Sequence, residues 1–193
     1  MTRRPFVNHL NHTLVETGSY RGDGIQAALD AGFQKIISFE IVPALYDHCV
    51  QRFNGNSKVE LILGSSVELL YPTIKDVSDS ITFWLDGHYS CGVTGHDPDY
   101  MCPIIPELEQ IKRHGSNHTI LIDDRRLFRI VPNSRIEEYF NITEHTVRSK
   151  LYEINPKYEI SYENGYIEND VIVAKLPACS STQHCPQSVA FSI

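Results

Sequence analysis

The chain has 193 residues, 41% of them hydrophobic and 21% charged, with a formal net charge of −7. That length suits one α/β domain with a sizeable core and is short for two. The acidic balance without a Lys/Arg run argues against a nucleic-acid partner, and no apolar run reaches membrane-spanning length.

Strand and helix signals alternate along the chain. Residues 12–16 predict a first strand. Residues 24–31 predict a helix with Ile25, Ala28 and Leu29 inward and Gly32 as its stop. A second strand (35–40) is followed by a helix over 43–53. After the third strand (59–63), Gly64, Ser65 and Ser66 open a short helix that runs through Leu70. Residues 80–86 predict the fourth strand. A helix over 104–114 carries Ile104, Ile105, Leu108 and Ile111 on one side, and 119–123 predict the fifth strand. Such alternation implies a mainly parallel sheet with helices on both faces, an α/β fold of the Rossmann-like type.

The ending differs. A helix over 144–154 stops at Asn155-Pro156, and strands over 158–162 and 171–176 pair as an antiparallel hairpin around Asn164-Gly165. There is no internal repeat. The organisation expected is an N-terminal arm (1–12), a single domain (13–176) and a C-terminal tail (177–193).

No apolar stretch follows Met1-Thr2-Arg3-Arg4, so no signal peptide is read. The cysteines, Cys49, Cys91, Cys102, Cys179 and Cys185, are odd in number and form no C-x-x-C pair. This argues against zinc and for a reducing, cytoplasmic setting. Sequons at Asn11, Asn117 and Asn141 read as chance matches, two of them leading straight into expected core strands.

In an open parallel sheet, ligands bind beyond the carboxyl ends of the strands. The first strand ends in Glu16-Thr17-Gly18-Ser19-Tyr20-Arg21-Gly22-Asp23-Gly24, and the second ends in Glu40-Ile41. A glycine turn followed by an acid on the next strand is how such a sheet holds an adenosine-containing cofactor, the acid accepting from the ribose hydroxyls. The spacing is E-x-G-x-x-x-G-x-G and not the dinucleotide pattern G-x-G-x-x-G. Glu16 would repel a pyrophosphate but suits the sulfonium and ammonium of S-adenosylmethionine.

The fourth strand ends in Asp86-Gly87-His88-Tyr89-Ser90 and the fifth in Asp123-Asp124. Adjacent strands bring these three carboxylates together. Hard oxygen ligands favour Mg²⁺, with Mn²⁺ or Ca²⁺ as substitutes. The alternative is that Asp124 caps the following helix and Asp86 serves the cofactor. His88, two residues past Asp86, is the candidate general base, because its ordinary pKa lies near working pH. The alternative for His88 is a supporting or surface role. Arg125 and Arg126 are suited to gripping a phosphate or a glycan hydroxyl, or to pairing with nearby acids. Tyr20 and Trp84 read chiefly as packing residues.

From Leu14 to Asp124 the chain resembles class I S-adenosylmethionine-dependent methyltransferases. An Asp after the fourth strand with Asp-Asp after the fifth is similar to metal-dependent O-methyltransferases of the catechol and macrolide-sugar types. The strings Glu16-Thr17-Gly18-Ser19-Tyr20, Trp84-Leu85-Asp86-Gly87-His88-Tyr89-Ser90 and Ile122-Asp123-Asp124 also resemble small methyltransferases of glycan synthesis in bacteria and large algal viruses. A viral member would work in the host cytoplasm.

The resemblance implies that Glu16 and Gly18, within the turn Thr17, Ser19, Tyr20, Gly22 and Gly24, lie by the methionine part of the cofactor. It implies Glu40 on the ribose, Ile41 against the adenine, and Gly64, Ser65 and Ser66 near the adenine edge. It places Asp86, Asp123 and Asp124 around the metal, with Asp86 also beside the cofactor. Those families cover the cofactor with N-terminal helices, and here only about a dozen residues precede the first strand. The candidates to close the site are the arm with Phe6, the tail, a partner subunit in a homo-oligomer, and the loop 88–103, whose polar residues suit a substrate lid.

Neither an N/D-P-P-Y/F stretch nor a Pro-Cys dipeptide occurs. The acceptor expected is therefore a hydroxyl, and a sugar such as rhamnose on a glycan is the first choice. The alternatives are a catechol or phenol acceptor, a nucleotide-sugar or NAD-dependent enzyme on the same sheet, and a non-catalytic binding subunit.

Overall fold

The computed structural model describes residues 5–115, 117–128 and 142–177. Its strands are β1 (Thr13–Thr17), β2 (Lys35–Glu40), β3 (Val59–Leu63), β4 (Ile81–Leu85), β5 (Thr119–Ile122), β6 (Glu159–Glu163) and β7 (Val171–Lys175). Its helices are α1 (Asp23–Ala31), α2 (Pro43–Arg52), α3 (Ser66–Ile74), α4 (Ile104–His114) and α5 (Glu144–Ile154). The strands form one sheet in the order β3-β2-β1-β4-β5-β7-β6. Pairings among β1 to β5 are parallel, and β7 lies antiparallel to both β5 and β6. The expected mixed sheet with its terminal hairpin is therefore present. The chain winds outward from β1 to β3 and then returns to β4 on the other side of β1. That reversal opens a crevice at the carboxyl ends of β1 and β4.

Side chains alternate across the sheet, so two cores form. Val15, Ile37, Phe39, Phe83, Leu85, Ile120 and Ile122 pack with α3, α4 and α5 residues such as Leu70, Leu108 and Leu151. Leu14, Ile36, Trp84 and Leu121 pack on the other face with Ile25 and Ala28 of α1 and Cys49 of α2. Phe6 belongs to this second core. Its ring meets Trp84 edge-on, with centroids 5.3 Å apart, and Phe33 at 6.1 Å. Phe6 thus fastens the chain to the sheet face and lies in the core, which corrects the expectation that it covers a ligand. Trp84 is a packing residue, as expected. The tail from residue 178 lies outside the described residues.

One element departs from the sequence reading. The helix expected to stop at Leu70 runs to Ile74 through Pro72. A proline ring disturbs the turn before it and removes a donor. Here Gln110 of α4 splints the opened turn. Its Nε2 donates to Ser66 O at 3.2 Å and to Val67 O, and its Oε1 accepts the Tyr71 N–H at 2.7 Å. No helix among the described residues is long and apolar enough to cross a membrane.

At the amino ends of the strands, two histidines form a buried relay. Ile81 N–H donates to His118 Nδ1 at 3.1 Å, so His118 carries its proton on Nε2 and donates it to His114 Nδ1 at 2.9 Å. His114 Nε2–H then donates to Val77 O at 3.0 Å. His118 Nδ1 can accept the Ile81 N–H while Nε2 donates only if that ring is neutral. Burial, with His114 adding to it, holds the His118 pKa down to about 4 against an ordinary 6.5. The unfolded chain therefore binds a proton between these values that the folded chain refuses. Stability is full above about pH 6.5 and falls as the pH drops toward 4, by about 3 kcal/mol from this ring. Urea titrations across that window should show the slope, and His118→Gln should flatten it. An unchanged slope in the variant would contradict the buried neutral ring.

Candidate active site

A cavity of about 480 Å³ lies beyond the carboxyl ends of β1 to β4. Of the residues expected at a cofactor, Gly18, Tyr20, Glu40, Ile41, Gly64, Ser65, Ser66 and Asp86 line it, and so does His88. Gly18 has φ +83°, and an added Cβ would fall 2.5 Å from Asp86 O. The β1–α1 turn can pass against the end of β4 only without a side chain. Glu40 is 5% exposed. Its Oε2 accepts the Tyr20 N–H at 2.8 Å and its Oε1 accepts the Val42 N–H at 2.9 Å. Burial raises its pKa, with those amides pulling the other way. A pinned carboxylate on a cavity wall is a ready acceptor for a pair of hydroxyls.

Glu16, Thr17, Ser19, Gly22 and Gly24 do not line the cavity. Glu16 is fully buried beneath α1, where Ser38 Oγ donates to its Oε2 at 2.6 Å. A Cβ on Gly24 would fall 1.6 Å from Glu16 Oε1, so the glycine is there to admit the carboxylate. The expectation that Glu16 faces the methionine end of a ligand is thereby corrected. Its carboxyl group instead lies under the first turn of α1. Gly22 faces the Phe53 ring, while Ser19 Oγ pairs with Ser38 Oγ at 2.6 Å. Thr17 Oγ1 accepts the Asp86 N–H at 3.3 Å and so ties β1 to β4.

The acidic residues gather beside His88. His88 Nε2 lies 2.8 Å from Asp124 Oδ2, and its Nδ1 lies 3.6 Å from Asp86 Oδ1. Burial works to lower the His88 pKa, but the Asp124 hydrogen bond and the charges of Asp86, Asp124 and Asp123 outweigh it and raise the value. Asp124 adopts a left-handed backbone at φ 59°, and its Oδ1 accepts from Arg126, which also binds Asp170. Burial would raise the Asp124 pKa, but contacts with His88 and Arg126 hold it below the ordinary range. Asp123 is pushed up to about 7 by burial and by the charges of Asp86 and Asp124.

The expected ligand trio, Asp86, Asp123 and Asp124, does not form one mutually close set. Among the described residues the close sets are Asp86, His88 and Asp124, and Asp123, Asp124 and Asp170, each with donor atoms within 4.8 Å of one another. The first offers carboxylate oxygens and an imidazole nitrogen, which fits a divalent ion. Crowded like charges around a buried Asp123 also fit a site where a cation belongs. Arg125 and Arg126 pair with acids: Arg125 donates to Glu144 at 2.8 Å, and each guanidinium stacks on a tyrosine, Tyr162 and Tyr166.

The loop after β4 forms one wall of the cavity. Residues Ser90, Cys91, Gly92, Val93, Thr94, Gly95, His96 and Asp97 all contribute to the lining. Tyr89 N–H donates to Met101 O at 2.8 Å, and Ser65 Oγ donates to Asp97.

Sequence reasoning missed Glu107. It is 1% exposed, accepts from Ser66 Oγ at 2.6 Å and from Thr17, and burial pushes its pKa to about 7. The signal was available, because Glu107 falls on the inward stripe of Ile104, Leu108 and Ile111. Asp170 carried no signal, since its partners Arg125 and Arg126 are distant in sequence.

No protein-family model matches the chain, and no curated protein matches it by sequence. Solved structures do match its shape. A candidate O-methyltransferase from Klebsiella pneumoniae superposes with a TM-score of 0.57 at 12% identity, over 89% of this chain and 75% of that one. The cofactor-bound protein Rv0187 from MTB gives 0.56 at 16% identity, over 86% and 72%. A candidate caffeoyl-CoA O-methyltransferase from Staphylococcus aureus gives 0.53 at 10% identity, over 87% and 76%. With the strand order and the closing hairpin, these likenesses give the chain the Rossmann-like fold of the class I methyltransferases.

Proposed function

We propose that the protein is an S-adenosylmethionine-dependent O-methyltransferase that methylates a sugar hydroxyl with the help of a divalent cation. The observation that carries this reading is that His88, held by Asp124, stands on the wall of the same cavity as the pinned carboxylate of Glu40.

S-adenosylmethionine, when bound, supplies a sulfonium methyl for in-line transfer to oxygen. Glu40 accepts its ribose hydroxyls, and Ile41 and Leu45 give the base an apolar wall. The main contribution of the fold is alignment, because positioning alone removes much of such a barrier. His88, with Nε2 on Asp124 and Nδ1 toward Asp86, is placed to take the acceptor proton when its ring is neutral. Asp124 stabilises the imidazolium that results, and Arg126 keeps Asp124 in place. Asp86 and Asp124 would hold a divalent ion, which when bound would lower the pKa of the acceptor hydroxyl. Among the described residues, the thiols of Cys49 and Cys91, which form no disulfide, support a cytoplasmic setting.

The sugar acceptor rests on the polar character of the loop, with Tyr89, Ser90, Thr94, His96 and Asp99 and little aliphatic surface. A sugar presents several hydroxyls and needs hydrogen-bonding walls. The test is methyl-label transfer to a panel of rhamnosides, other sugars, catechol, RNA and protein, with and without EDTA. Transfer to a rhamnose-like sugar is expected, free, nucleotide-linked or within an oligosaccharide, lost in EDTA and restored by Mg²⁺ or Mn²⁺. Transfer to catechol with none to any sugar would refute the sugar reading and leave O-methylation standing. Full activity in EDTA would remove the ion.

A further inference from the structure

We propose that Asp97 selects the base of the cofactor: its carboxylate accepts a hydrogen from the 6-amino group of adenine. This inference rests on the cofactor reading above and adds a specificity residue to it. Asp97 belongs to the loop after β4, yet it lines the same cavity as Glu40, Ile41 and Ser65.

Three observations fix its role. First, the carboxylate is held in one orientation. Ser65 Oγ donates to Oδ2, and the Asp99 N–H donates to Oδ1 at 3.0 Å. Second, the loop around it is seated on the β2–α2 turn, because a Cβ on Gly95 would fall 2.7 Å from Val42 Cγ2 and 3.0 Å from Ile41 Cγ2. Asp97 therefore approaches the same stretch of wall that the apolar Ile41 provides for a flat ring. Third, Ser65 is committed elsewhere. It donates to Asp97 and accepts the Val67 N–H at 3.2 Å as the cap of α3.

A carboxylate has about four acceptor sites, and two are used here. The remaining pair can only accept. A 6-amino purine presents a donor to it, and a 6-oxo purine presents lone pairs. A hydrogen bond to a charged acceptor contributes, and a buried mismatch costs more than the lost bond. The cavity therefore distinguishes adenosyl from inosyl ligands through one side chain.

Isothermal titration with S-adenosylhomocysteine and with S-inosylhomocysteine tests this on the whole chain. Wild type should bind the adenosyl form about 10- to 100-fold more tightly. In Asp97→Asn, Oδ1 still accepts the Asp99 N–H while Nδ2 offers a donor to the base, so the preference should vanish or reverse at an unchanged melting temperature. Equal wild-type affinities for the two ligands would overturn the proposal, as would an Asp97→Asn protein that keeps the full preference. Failure of both ligands to bind would overturn the cofactor reading and this inference with it. Tight but indiscriminate binding would strike this inference alone.

Discussion

Replacing His88 with alanine should lower turnover by about 10²–10⁴-fold while S-adenosylhomocysteine affinity stays close to wild type. The expectation follows from how the ring is held. The imidazole has Nε2 2.8 Å from the Asp124 carboxylate and Nδ1 3.6 Å from that of Asp86, so in its neutral form it can take a proton that either carboxylate then stabilises. Nδ1 faces the Asp86 end of the cavity, where an acceptor oxygen would meet the methyl group. The side chain itself is 8% exposed and held between two carboxylates, so its role does not depend on a mobile rotamer. Asp124→Asn should also lower turnover, because an amide can present the wrong group to Nε2 and cannot stabilise an imidazolium. Single-turnover methyl transfer, paired with equilibrium binding of S-adenosylhomocysteine, separates the base from a cofactor contact. A His88→Ala enzyme within tenfold of wild type would move the base to Asp86.

The sequence was most legible where the physics is local. β2, β3, α4 and α5 have the bounds that hydrophobic periodicity and helix stop signals give, because each fills its own face and ends on Gly, Pro or a cap. The carboxyl-end rule likewise located Gly18, Glu40, Ser65, Asp86 and His88 before any distance was known, since strand order alone puts them on one edge. What was not legible depends on neighbours far away in sequence. Glu16 looked like a ligand residue by its place in the turn. Only the packing of α1 over β1 and β2 shows it buried against Gly24 and Ser38. The stop read after Leu70 failed because Gln110, on another helix, satisfies the turn that Pro72 disturbs. The acidic trio divides into two sets: Asp86 and Asp124 meet around His88, and Asp123 and Asp124 meet with Asp170, which also binds Arg126 and lies far away in sequence.

The account stands or falls on which nucleotide the cavity accepts. In a dinucleotide enzyme the pyrophosphate rests on the first helix N-terminus. Here that terminus faces the buried carboxylate of Glu16, and its cap Gly22 is backed by Phe53. A pyrophosphate there would have to displace the buried Glu16 side chain. Glu40, by contrast, is free of any basic partner among its hydrogen bonds and accepts only from backbone amides. It retains lone pairs for ribose hydroxyls. Removing it should weaken S-adenosylhomocysteine by about 1.5–3 kcal/mol, the contribution of hydrogen bonds to a charged group. A ligand bound only to the folded state must raise its melting temperature. The direct measurement is therefore thermal unfolding of wild type and Glu40→Ala with S-adenosylhomocysteine or NAD at equal concentrations. The result predicted is a rise with S-adenosylhomocysteine that Glu40→Ala sharply reduces, and no rise with NAD. Equal or greater stabilisation by NAD would contradict the methyltransferase reading.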